Sequence, residues 1–133
     1  MSAALRTAKY DPRAEIMRQV GDLSRIELFH NQVLVAISMG RDQTEGGVYL
    51  PDATKRENEY QGKVGLVLKL GPLAFQDDDR NQFHGQTVKV GEWIALRPND
   101  GWPCRLGGRK GVPCRVLEDV HVKMRLKDPE DIY

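Results

Sequence analysis

From Leu28 onward the apolar residues alternate along the chain, a period that only an extended backbone satisfies. Val33, Val35 and Ile37 interleave with Leu34 and Ala36, so the first strand is apolar on both faces. Val64, Leu66, Leu68 and Leu70 predict one face of a second strand near Gly62 to Leu70. A third is expected over Thr87 to Leu96, interrupted at Gly91-Glu92. Two short strands flank Gly107-Gly108, and a last one runs from Val116 to Leu126 with Val120, Val122 and Met124 on one face. Short strands punctuated by Gly, Pro and Asp turns specify a small all-β barrel. At 133 residues the chain can bury one modest core.

Residues 1–26 depart from this period. Asp11 followed by Pro12 reads as a helix start, with Asp11 as N-cap and Pro12 at the first helical position. Ile16, Met17, Val20 and Leu23 then recur at helical spacing, and Gly21 keeps the helix short. Such a helix is marginal unless its stripe packs on something. Two readings stand: a lid over the chain's own barrel, or an arm whose Ile16, Met17, Val20 and Leu23 dock on a neighbouring subunit. The expected division is an arm over 1–26, a barrel over 27–127 and an acidic tail over 128–133.

Two connections interrupt the strands. Ser38 to Tyr60 is long and polar, with one apolar cluster at Val48, Tyr49 and Leu50 between Gly46-Gly47 and Pro51. Loops of this length in compact domains are usually functional. Pro72 to Gly85 is the second, carrying the run Asp77-Asp78-Asp79.

Enzyme chemistry finds no purchase. His30, His84 and His121 are dispersed without metal-ligand spacing, and the aspartate run lacks the glycine and distal glutamate of a calcium loop. No nucleophile elbow, phosphate loop or dinucleotide fingerprint occurs. The expectation is no catalytic residue, no metal and no cofactor. A net charge of +1 argues against electrostatic capture of nucleic acid, and no apolar run reaches membrane-spanning length. Met1 to Lys9 lacks the apolar core of a secretory signal, which predicts a cytoplasmic origin.

Cys104 and Cys114 each follow a proline and flank Gly107, Gly108 and Gly111. A turn centred near Arg109 places them opposite one another. They read either as two reduced thiols or as a cross-strand disulfide, which would matter most outside the reducing cytosol.

The order of these segments resembles the GroES-like co-chaperonins. His30-Asn31-Gln32-Val33-Leu34-Val35 is similar to that family's opening strand, and Gly46-Gly47-Val48-Tyr49-Leu50-Pro51 resembles its mobile-loop motif. Gly62-Lys63-Val64-Gly65-Leu66-Val67, Val88-Lys89-Val90-Gly91-Glu92-Trp93-Ile94 and Leu117-Glu118-Asp119-Val120 resemble later strands, so the likeness covers Leu28 to Leu126. It implies a homo-oligomeric ring of barrels whose loop, through Val48, Tyr49 and Leu50, grips a chaperonin's apical domains. Asn31 stands where the family carries an aspartate. The arm, the 72–85 connection and the acidic, tyrosine-ended tail resemble the GroES-like proteins of tailed bacteriophages. Two protein-binding roles follow. One is a virion decoration or cement subunit on a major capsid protein. The other is a phage-encoded cytoplasmic co-chaperonin that caps a GroEL-type chaperonin.

Overall fold

A computed structural model describes residues 11–38 and 62–132. Among these residues one helix, α1 (Arg13–Val20), precedes six strands: β1 (Gln32–Ile37), β2 (Val64–Leu70), β3 (Trp93–Ala95), β4 (Trp102–Leu106), β5 (Val112–Glu118) and β6 (Met124–Leu126). All pairings are antiparallel, in a single sheet ordered β4-β5-β1-β2-β3-β6. The all-β expectation therefore holds. Its hydrogen-bonded form is an open sheet, with β4 and β6 at the edges among the described residues.

The central strands are apolar on both sides, and two separate clusters result. Leu34, Ala36, Leu66, Leu68, Trp93 and Cys114 share one face. Val33, Val35, Ile37, Val67, Ile94 and Leu117 share the other. Leu70 departs from the simple alternation. A register shift opposite Leu34/Val35 pairs Lys69 with Leu34 and Leu70 with Val33. That bulge moves Leu70 to the second cluster and leaves Lys69 on the first face.

The first face is covered by the N-terminal segment. Ile16 and Val20 are buried in its cluster, and Met17, Leu23 and Ile26 pack against it. The guanidinium of Arg13 lies 6.0 Å from the centroid of the Trp93 ring. Of the two readings, lid and inter-subunit arm, the packing matches the lid: the stripe of Ile16, Met17, Val20 and Leu23 lies on the chain's own sheet. The helix also begins one residue later than expected. The carbonyl of Pro12 accepts the first helical bond from Ile16 at 2.9 Å, so Pro12 occupies the cap, and Asp11 Oδ1 accepts from the Arg13 amide at 3.1 Å. Gly21, at φ +74°, ends the helix in a conformation that suits glycine.

The third and last strands are shorter than the alternation implies. Only Trp93–Ala95 is extended in the third, after a turn through Gly91 at φ +92°. In the last, a 3₁₀ turn at Asp119–His121 separates β5 from β6. It is set by a reciprocal cap: the Glu118 amide donates to His121 Nδ1 at 3.1 Å, and the Glu118 side chain accepts from the His121 amide. Val120 and Met124 are consequently exposed instead of sharing a buried face.

Candidate protein-docking surface

The segment singled out for partner binding, Gly46, Gly47, Val48, Tyr49, Leu50 and Pro51, lies outside the described residues. Its attachment is well defined. It leaves β1 at Ser38, whose amide donates to the Val64 carbonyl at 2.8 Å, and it returns into β2 at Gly62. Ile37 is paired with Gly65 there, so both ends emerge from adjacent, fully paired strands in the middle of the sheet. Gly65 has a packing reason: a Cβ on it would stand 3.1 Å from the Val35 side chain.

The 72–85 connection is ordered by its aspartates. Asp78 Oδ1 accepts from the amides of Arg80 at 2.8 Å and Asn81 at 2.7 Å, and Asp77 Oδ1 accepts from the Phe83 amide at 2.6 Å. The Asn81 and Arg80 amides hold the Asp78 carboxyl below its usual range. The acidic run is thus a hydrogen-bonded turn that folds Phe83 back onto Phe75, with ring centroids 5.4 Å apart and planes at 72°.

Between this connection and the 119–125 segment lies an open cavity of about 780 Å³. Its walls carry Arg80, Lys89, Lys123 and Arg125 beside the exposed apolar Val120 and Met124. Arg125 is 3.7 Å from Glu92 and donates to the Thr87 carbonyl at 2.9 Å. The four cations are scattered over 45 positions of sequence, so no local charge run announces the cavity. Asp119 also lines it, but both of its carboxylate oxygens are occupied: Oδ1 by Asn31 and Oδ2 by the Phe75 amide.

The cysteines lie on the β4–β5 hairpin. Cys104 pairs directly with Cys114, the register a turn centred at Arg109 requires. Both are free thiols, Cys104 half-buried and Cys114 buried. Burial raises the Cys104 thiol and pushes Cys114 up to about 12, with Cys104 adding to the second shift. Trp102, on the edge strand, is 67% exposed, whereas Trp93 is fully buried. Among the described residues no group of three or more His, Cys, Asp or Glu side chains could hold a metal ion, and no helix is long and apolar enough to cross a membrane.

The tail, like the arm, folds onto the chain. Asp128 is buried and its Oδ1 accepts from the Glu130 amide at 2.8 Å, while Ile132 packs against the first cluster. Compared with known families, residues 25–123 match the model of the chaperonin 10 Kd subunit. The match begins after α1 and takes in every strand up to β5, together with the 39–61 segment.

Proposed function

The chain belongs to the chaperonin 10 Kd subunit family, and from that premise we propose that it is a non-enzymatic, homo-oligomeric co-chaperonin that caps a GroEL-type chaperonin in the cytoplasm. The observation that carries this reading is the family match itself, which spans both strands that hold the 39–61 segment. Val48, Tyr49 and Leu50 are the apolar contacts offered to the partner's apical domains, and Gly46, Gly47 and Pro51 frame them. A polar segment with one apolar cluster loses part of its binding energy to ordering, which suits a cap that must come off again.

Family membership favours this role over capsid decoration. The features that suggested a virion subunit, the arm and the tail, are engaged within the chain: Ile16 and Val20 are buried in the first cluster, and Ile132 packs against it. The resemblance of those additions to the proteins of tailed bacteriophages extends the proposal to a phage-encoded cap for a host chaperonin.

The test is complex formation. The purified protein should co-elute with a GroEL-type chaperonin in the presence of ATP. Replacing Val48, Tyr49 and Leu50 together by Ser should abolish co-elution while leaving the sheet's circular dichroism intact. Unchanged binding by that variant would show the segment to be a connector. Finding the chain at capsid-like copy number in purified virions would restore the decoration role.

A further inference from the structure

We propose that Cys104 and Cys114 are a reversible dithiol–disulfide site that locks the β4–β5 hairpin when a small-molecule disulfide of the oxidised-glutathione class is present. The inference goes beyond chaperonin capping and does not depend on it.

The ladder carries the argument. Cys104 and Cys114 are direct antiparallel partners. Opposed residues in such a ladder have Cα atoms about 4.5–5.5 Å apart, inside the roughly 4.4–6.8 Å range that a disulfide spans. Their side chains share a face, since Cys114 belongs to the first cluster and Cys104 packs against it. A bridge therefore requires side-chain rotation and no shift of register. Access is asymmetric. Cys114 is 1% exposed, whereas Cys104 is half-buried on β4, whose outer edge has no partner strand among the described residues. Cys104 is thus the sulfur that meets the reagent, and Cys114 is the resolving sulfur.

The exchange balances in two steps. The Cys104 thiolate attacks one sulfur of the small disulfide. Its S–S bond breaks, the first small thiol leaves, and Cys104 carries a mixed disulfide. The Cys114 thiolate then attacks Cys104 Sγ and expels the second small thiol. Two cysteine thiols are oxidised to one S–S bond, one small disulfide is reduced to two thiols, and the two protons end on those thiols. The high affinity of Cys114 for its proton makes the second step the slow one, moderated by the Leu106 backbone and the charge of Arg105.

The hairpin is also where the arm rests. A Cβ on Gly107 would stand 2.6 Å from the Gln19 carbonyl of α1, so the hairpin tip and the helix are in close contact. Closing the bridge stiffens the surface on which α1 is seated.

The experiment equilibrates the full-length protein in oxidised and reduced glutathione at varied ratio, without chaperonin. Non-reducing peptide mapping and thermal unfolding follow. The expected result is a peptide linked through Cys104 and Cys114, simultaneous loss of both alkylatable thiols, and a thermal midpoint raised by roughly 5–10 °C. Cys104→Ser and Cys114→Ala should show no oxidant-dependent shift of this kind, and Cys104→Ser keeps the buried cysteine in place should the second variant fold poorly. Two thiols that stay alkylatable at every ratio, or a glutathione adduct on Cys104 that persists at equilibrium, would overturn the proposal. Failure here leaves the capping role untouched, because no chaperonin takes part.

Discussion

Asn31 donates through Nδ2 to Oδ1 of Asp119 at 3.0 Å, across 88 positions of sequence. The Asp119 amide returns a bond to the Asn31 carbonyl at 3.1 Å, and Asp119 Oδ2 accepts from the Phe75 amide at 3.0 Å. Asp119 is 4% exposed. One buried carboxylate thus ties the entry of β1, the 3₁₀ turn and the start of the 72–85 connection together, and it helps hold Phe75 at φ +62°. The amide of Asn31 can donate to Asp119, which an ionised carboxylate at that position could not do.

Asn31→Asp is therefore expected to destabilise the protein by about 1–3 kcal/mol near neutral pH. Two carboxylates at that distance repel each other, and the donor to Asp119 is lost with the amide. Urea unfolding at neutral pH measures the deficit, and an unchanged midpoint would mean that the contact adds nothing to the fold.

The arm is part of the fold. Deleting residues 1–24 removes Ile16 and Val20 from the cluster and bares Leu34, Leu66, Leu68 and Trp93 to water. The expected outcome is loss of cooperative unfolding and a tendency to aggregate. Ile16→Ala, which leaves the rest of the helix in place, should cost about 2–4 kcal/mol. A truncated protein that unfolds cooperatively with an unchanged midpoint would return the arm to an inter-subunit role.

How far the sequence could be read follows from which interactions are local. The alternation of β1 was legible because successive side chains must point to opposite faces. The Cys104–Cys114 register was legible because a tight turn dictates its own pairing. The fate of Leu70 was not, because the bulge exists only in relation to β1. The break after Glu118 escaped because periodicity counts apolar side chains and ignores the His121 imidazole accepting a backbone amide. Amphipathic spacing identified which side of α1 is apolar without saying what covers it. At the candidate site, the motif from Gly46 to Pro51 was visible as a string of residues. The cavity lined by Arg80, Lys89, Lys123 and Arg125 was not, since folding alone brings those cations together.

Lys69 fastens the covering segment. Its Nζ donates to the Leu23 carbonyl at 2.9 Å and also to the Ile26 carbonyl. The bulge in β2 is what places this lysine on the arm's side of the sheet. Lys69→Met keeps the length of the stem and removes the donor, leaving two carbonyls without it at a cost of about 1–3 kcal/mol. The sensitive readout is trypsin cleavage at the exposed Arg25, which should accelerate at least several-fold as the 21–26 segment loosens. Cleavage at the wild-type rate would show that apolar packing alone retains the segment.

Burial pushes the Cys114 thiol from the ordinary 9.0 up to about 12 in the folded chain. Between those values the unfolded chain ionises this thiol and the folded chain does not. The folded pKa is the higher one, so the contribution of Cys114 is intact below about pH 9 and is lost as the pH climbs toward 12. At about pH 10.5 the loss should be on the order of 2 kcal/mol relative to about pH 8. Lysines and tyrosines also titrate in this range, so the measurement is a comparison with Cys114→Ala, both proteins held reduced. The variant starts less stable, having lost a buried side chain, but its stability should fall less steeply with pH, and the two curves should converge. Parallel curves over that interval would mean that the Cys114 thiolate is accommodated within the folded sheet, contrary to its burial in the first cluster.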